Sequence, residues 1–277
     1  MNEEAPGGPY SDESLRQMDP LLLRTLLRER VHHTVECRLY PAVFGGAALK
    51  REGMNTALRI LKIWDERGLP SDAPDIAWAR NLIQLFDQAV EGKTPSFEGR
   101  RPEPFNEHDL GVVERVIFTR RSYRQWTDEP VPDRMLQRIL KAATWAPTGC
   151  DLQVVRYIVV TKPETLARFP AREFAGETAK IIICVDKRAY DIRSATPKRN
   201  QILDCGAAAQ NILLMAHALG LGAVWSTFND REIANVRSYF ELPDYIDVVT
   251  YVSLGFAAEA VLPPGRMDVS DYVIREA

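Results

Sequence analysis

The chain has few cysteines and no pair of them close together. Cys37, Cys150, Cys184 and Cys205 are widely spaced with no CxxC motif, which argues against a structural zinc site or a disulfide framework and reads as reduced thiols. It also lacks a charge of one sign: 35 Lys and Arg against 38 Asp and Glu leave a formal −3, so there is no global attraction to nucleic acid or to a membrane surface. There is no long hydrophobic run. The longest apolar stretch, Ile212 to Trp225, is too short for a membrane span and contains His217. With no secretory pattern at its start, the expected location is the cytoplasm. A glycine-rich nucleotide fingerprint is missing too: Gly220 and Gly222 lack a third glycine and follow a helical stretch rather than a strand, which makes them a helix stop. No Ser–His–Asp or paired-carboxylate set is visible.

What is present is an ordinary globular composition, 277 residues with 45% hydrophobic and 26% charged, enough for a full core and more than a usual single domain. Residues 1–12 have little to bury and read as a tail. Residues 13–92 read as a helical N-terminal extension. Its first helix runs from Glu13 to about Tyr40 with Pro20 in the first turn, and the segment Pro41 to Gly46 reads as a break. A second helix carries Met54, Ala57, Leu58, Leu61 and Trp64, and a third carries Ala79, Leu82, Ile83, Phe86 and Val90 before Gly92. The adjacent His32 and His33 point about 100° apart on a helix and make a poor chelating pair. Residues 93–107, with three prolines and no periodicity, read as a linker.

From residue 108 to 277 helices and strands alternate. A helix to Thr119 should turn Val112, Val116 and Ile117 inward, and another should bury Leu136, Ile139, Leu140 and Ala143 before Pro147. The β-branched runs Val154 to Thr161 and Ile181 to Val185 read as strands buried on both faces. An apolar helix from Cys205 to Leu219, in which His217 reads as a satisfied core histidine, feeds a third strand at Ala223 to Ser226. A helix from Asp230 and a fourth strand at Val248 to Leu254 follow. The expected fold is α+β with a mixed central sheet. Between the two halves of this pattern lies RRSYRQWTDEPVP, where Arg120, Arg121 and Arg124 crowd round Ser122. Forked guanidinium donors beside a hydroxyl suit phosphate oxygens; an arginine-rich turn is equally a salt-bridged surface.

Four blocks in register carry a family resemblance: RRSYRQWTDEPVP with LQRILKAATWAPTGCDLQ, then VVRYIVVT, then CGAAAQNILLMAHALGLGAVW, then VSLGFAAE with Arg266 downstream. Residues 108–277 resemble the FMN-dependent nitroreductases. The resemblance implies a nitroreductase-like dimeric fold in which Arg120, Ser122 and Arg266 hold the FMN phosphate and Arg124 approaches the pyrimidine end of the flavin. Arg121 is left either as a second phosphate ligand or as a partner for Glu114. Pro147, Thr148 and Gln153 match a loop that reaches the flavin of the neighbouring subunit. Asp151 departs from that loop's usual Asn, and a carboxylate there is expected to face outward to Arg156 or to substrate. Trp225, Ser226, Thr227 and Phe228 match the turn next to flavin N5, with the Thr227 amide as donor, so Thr227 and Arg124 are the expected catalytic positions. The activity implied is hydride transfer from NAD(P)H through FMN to an electron-poor small molecule such as a nitroaromatic or quinone, in a homodimer. The alternatives are an FMN-dependent oxidase, dehydrogenase, dehalogenase or flavin-fragmenting enzyme of specialised metabolism, or a non-enzymatic flavin-binding sensor or interaction protein. The short basic segment from Asp186 to Ile202 leaves room for the N-terminal helices either to cover the flavin or to pack outside.

Overall fold

Capping chemistry written in the sequence sets many of the helix boundaries. The computed structural model describes residues 10–96, 102–170, 174–191 and 197–275. Residues 1–9 of the expected tail, 97–101 of the expected linker and 192–196 of the basic segment lie outside the described residues. In chain order the N-terminal elements are α1 (Asp12–Gln17), α2 (Pro20–Val31), a π-helical turn (His32–Glu36), α3 (Cys37–Gly45), a 3-10 turn (Arg51–Met54), α4 (Asn55–Glu66) and α5 (Pro74–Val90). Then come α6 (Glu107–Thr119), α7 (Asp133–Thr144), a 3-10 turn (Gly149–Asp151), β1 (Val155–Val160), α8 (Pro163–Leu166), β2 (Ala179–Asp186) and α9 (Arg188–Asp191). The chain continues through α10 (Asn200–Ala218), β3 (Gly222–Ser226), α11 (Asp230–Tyr239), β4 (Ile246–Gly255) and α12 (Val269–Tyr272). Among the described residues no helix is long and apolar enough to cross a membrane.

Two compact units result. One gathers α1 to α5 together with Pro147–Val154 and Asp186–Asp204. The other holds α6, α7, the sheet and α10 from Cys205 onward.

In the first unit the Asp19 carboxylate accepts the N–H groups of Leu21 and Leu22 at 3.0 and 3.2 Å, with Pro20 at the first helical position. This is how a helix start satisfies its orphan donors. Leu23, Leu27, Val31, Val35 and Leu39 run from α2 through the π-helical turn into α3 and pack with Ile60, Ile63, Trp64, Ile76 and Phe86. The expected break at Pro41 does not occur. Pro41 lies inside α3, and Gly46 ends it in the left-handed region at φ 69°. On α4 the inward stripe is Ala57, Ile60, Leu61 and Trp64; Leu58 falls on its edge and is 43% exposed.

One ionic cluster is built into this core. Arg28, nearly buried, donates to Asp75 at 2.7 Å and to the Leu152 carbonyl at 2.9 Å, and Arg24 donates to the same carboxylate at 3.0 Å. Burial acts to raise the pKa of Asp75, but the hydrogen bonds from Arg24 and Arg28 outweigh it and hold the carboxyl below its usual range. A depressed carboxylate contributes stability above its unfolded pKa and loses it as pH falls through the folded value. Asp75→Asn should therefore cost about 3–5 kcal/mol at pH 7, because it strands a buried guanidinium, and it should flatten the stability loss below about pH 4. Denaturant unfolding at pH 7 and at pH 3 checks this; equal wild-type and variant stability at pH 7 would overturn the assignment.

In the second unit the sheet order is β1-β2-β4-β3. β2 is buried along its whole length, whereas β1, expected to be buried on both faces, is a half-exposed edge strand. The two outer pairings of the sheet are antiparallel: Val155 opposes Val185 in β1–β2, and Gly222 opposes Gly255 in β3–β4. Parallel bridges join Ser122 to Ala223 and Gln125 to Ala175. Val160, Leu166, Phe169, Ile182, Val236 and Tyr251 form the core under α8 and α11. Leu136, Ile139 and Ala143 of α7 are buried as expected. α6 differs: Val112 and Ile117 are exposed and no residue of this helix is buried. Among the described residues most of its apolar face is exposed, with only Val116 partly buried.

Candidate anion and cofactor site

The arginine segment is fastened to the end of the sheet by its backbone. The Tyr123 N–H donates to Ala223 O at 3.3 Å, Thr127 N–H to Phe256 O at 2.8 Å and Ala258 N–H to Gln125 O at 3.0 Å. Trp126 is buried, and its indole N–H donates to Gly222 O at 2.8 Å. Gly222 is required by this approach: an added Cβ would sit 2.9 Å from the Tyr123 side chain at Cβ and Cγ. Gly220, at φ 81°, is the helix stop that the sequence suggested.

Glu259 completes the anchorage. One of its carboxylate oxygens accepts the N–H groups of both Arg124 and Gln125, at 2.6 and 3.1 Å. Glu259 ends the VSLGFAAE block, but its role here has no local sequence signal, because its partners lie about 135 positions earlier. Hydrogen bonds to a charged acceptor contribute roughly 1.5–3 kcal/mol each, and here solvent exposure lowers that. Glu259→Ala should destabilise the protein by about 1–3 kcal/mol in denaturant unfolding, and Glu259→Gln by less; an Ala variant as stable as wild type would refute the anchoring role.

The side chains that this backbone carries form a cationic cluster. Burial lowers the Arg120 pKa, and the nearby guanidinium groups of Arg266 and Arg121 lower it further. Arg121 donates to the Phe118 and Arg120 carbonyls at 2.7 and 2.9 Å, and Arg266 to Gly265 O at 3.0 Å. Arg124 contacts Ser122 O at 3.4 Å. Among the described residues none of these four arginines forms an ion pair with a carboxylate, so the pairing of Arg121 with Glu114 is not made. The structure also brings in a residue not counted toward the site. His217 is half-buried rather than in the core, it bonds the Thr119 hydroxyl at 2.8 Å, and burial and the charges of Arg120 and Arg121 lower its pKa.

At the end of β3, Trp225 and Ser226 are locked by one buried hydroxyl. Thr250 accepts the Trp225 indole N–H at 2.5 Å and donates to Ser226 O at 2.6 Å. Phe228 packs on Tyr251 with ring centroids 4.2 Å apart, and exposed Thr227 lies between this packing and the capping box of Asn229 and Glu232. Thus Arg120, Arg121, Ser122, Arg124, Trp225, Ser226, Thr227, Phe228 and Arg266 belong to the second unit.

Pro147, Thr148 and Gln153 belong to the first unit. Their loop is tightly wound, with Cys150, Asp151 and Gln153 all at positive φ, between 50° and 56°. Thr148 Oγ1 accepts the Gln153 N–H at 3.3 Å, and Gln153 Nε2 donates to Asp151 at 2.9 Å. Within this unit the charge of Asp151 acts on Arg28, whose guanidinium also contacts the Asp151 carbonyl at 3.4 Å.

Partly buried Arg120 and Arg121 and exposed Arg124 and Arg266, none ion-paired with a carboxylate among the described residues, make the edge of this α+β sheet a candidate anion site. The nitroreductase family model matches residues 117–175 and 170–256. The chain is 35% identical over 170 residues to a putative NADH dehydrogenase/NAD(P)H nitroreductase of Methanothermobacter thermautotrophicus, covering 58% of this chain and 84% of the relative. It is 30% identical to the NADPH-flavin oxidoreductase of Vibrio harveyi over 50% of this chain and 63% of that protein. A crystal structure of a putative nitroreductase in complex with FMN, from Desulfovibrio desulfuricans, superposes with a TM-score of 0.53 at 29% identity, over 63% of this chain and 99% of that one. The chain belongs to the nitroreductase family, and its fold is the α+β nitroreductase-like fold.

Proposed function

We propose that this chain is an FMN-dependent oxidoreductase that passes hydride from NAD(P)H to an electron-poor small molecule, a nitroaromatic or a quinone, as a cytoplasmic homodimer. The observation that carries the cofactor assignment is the Arg120–Arg121–Arg266 cluster. Burial and then the neighbouring guanidiniums of Arg266 and Arg121 depress the pKa of Arg120, and three such groups with no carboxylate ion pair among the described residues fit a phosphate dianion. The curated relatives named for NAD(P)H and flavin, and the solved FMN complex, support the same reading.

FMN supplies the two-electron chemistry when bound. In this proposal Arg120, Ser122 and Arg266, with Arg121 beside them, hold its phosphate. Arg124 stands at the redox end as a fixed positive charge where reduction develops negative charge. Thr227 offers its backbone amide at the reacting edge, and Trp225, Ser226 and Phe228 keep that turn rigid through Thr250 and Tyr251. Pro147, Thr148 and Gln153 form the loop offered to a neighbouring subunit's cofactor. The purified protein should be yellow, and NADH or NADPH should bleach the flavin band anaerobically. Replacing Arg120 with Ala should weaken FMN binding by roughly 10- to 100-fold, the loss of one or two charge-assisted hydrogen bonds. A colourless protein that takes up no added FMN would refute the proposal.

The dimer rests on exposed apolar surface. Phe118 is 68% exposed and Ile117 47%. Val116 of α6 also lines an open cavity of about 530 Å3 with Trp145, Leu214 and Met215. Such surface on a soluble protein marks an interaction site. Sedimentation should give twice the chain mass, and Val113→Glu, on exposed α6, should shift it toward the monomer; a wild-type monomer at micromolar concentration sinks the idea.

A further inference from the structure

His217 is placed to do more than fill the end of α10. The Thr119 hydroxyl donates to Arg115 O at 2.6 Å, so it has no proton left for the imidazole, and His217 Nε2–H must donate to Thr119 Oγ1 at 2.8 Å. Nε2 therefore carries the proton and Nδ1 is the atom that can gain one. Thr119 is the last residue of α6 and is followed directly by Arg120 and Arg121. The bond to Thr119 thus fixes the imidazole against the root of the two cations that line the anion pocket.

The charged groups around it are few. From the segment after α6, Arg120 and Arg121 act on His217, and beyond them Arg266 of the C-terminal segment acts on Arg120. From α7, Arg138 and Lys141 line the neighbouring cavity with Met215 and Ala218. On α10 itself the other titratable groups are Asp204 and Cys205, more than two helical turns away. The surroundings hold the imidazole below its ordinary pKa, first through burial and then through the two arginines, so it is neutral at pH 7 while those cations face no anion.

We propose that His217 is a fourth, proton-dependent cation of the phosphate pocket, recruited when the cofactor's phosphate enters. The inference rests on the phosphate assignment made above and adds the regulation of that site. A dianion among Arg120, Arg121 and Arg266 cancels the repulsion that disfavours a charged imidazole, and Nδ1 takes up a proton from solvent. Binding is then linked to proton uptake. Affinity for a phosphorylated flavin rises as pH falls from the pKa of the bound state to that of the free state, by about tenfold for each pKa unit between them.

Isothermal titration of the full-length apoprotein with FMN near neutral pH, in buffers of differing ionisation enthalpy, counts the protons. Wild type should take up a substantial fraction of one proton more than His217→Gln, and FMN affinity should steepen toward acid in wild type alone. The phosphate's own ionisation, with a pKa of about 6, contributes equally to both and cancels in the comparison. Riboflavin, which has no phosphate, should show no difference between the variants. Should the Gln variant not fold, proton NMR of the wild-type histidines reads the same event: one of the four should titrate higher when FMN, or inorganic phosphate alone, is added. Equal proton counts in the two variants, or no histidine shift, would overturn the proposal while FMN binding stands. FMN and riboflavin binding with equal affinity would instead overturn the phosphate assignment beneath it.

Discussion

The second unit depends on the attachment of the segment from Ser122 to Thr127 to the open end of the sheet. Trp126 is the wedge: its indole bonds the Gly222 carbonyl, its backbone lies so close to Gly176 that a Cβ there would collide, and its side chain packs tightly against Gly255. Backbone bonds to Ala223, Phe256 and Ala175 and the Glu259 carboxylate complete the clamp. Without it, like charges at Arg120, Arg121 and Arg266 would spread apart; with it, their repulsion is held in place. In the proposed reading the fold has already met the cost of gathering the cations before a ligand arrives.

The same logic works with opposite sign in the first unit. There Arg28 is buried, but it is matched by Asp75 and by the carbonyls of Asp151 and Leu152. Paired, it is a structural cation that ties α2 to α5 and to a loop more than a hundred residues later. Arg28 with its carboxylate holds this unit together, whereas Arg120, Arg121 and Arg266 have no carboxylate ion pair among the described residues. The loop that carries Thr148 and Gln153 therefore folds with the N-terminal helices, so those helices cannot be removed without disturbing Pro147–Val154.

Much was legible from residue order. Periodicity located α4, α5, α7 and α11, and the β-branched runs located β1, β2 and β4 to within a few residues. The block order of RRSYR, APTGCDLQ and Arg266 pointed to the family. The errors have physical causes. Val112 and Ile117 of α6 follow an inward-facing pattern, but a pattern does not say which surface covers it. The β1 run is as β-branched as β2, yet an edge and a centre differ only in neighbours. Pro41 signals a break by its local rule, yet α3 continues through it to Gly45.

The sequence by itself determined which residues are cations, hydroxyls and glycines, where helices start and stop, and the order of blocks that identifies the family, because these rest on chemistry within a few residues. Only the tertiary structure decided that Glu259 grips Arg124, that His217 meets Thr119 beside Arg120 and Arg121, and that Asp151 answers to Arg28. Those pairs are separated by roughly a hundred residues of chain. Nothing short of folding sets the distances on which hydrogen bonds and pKa values depend.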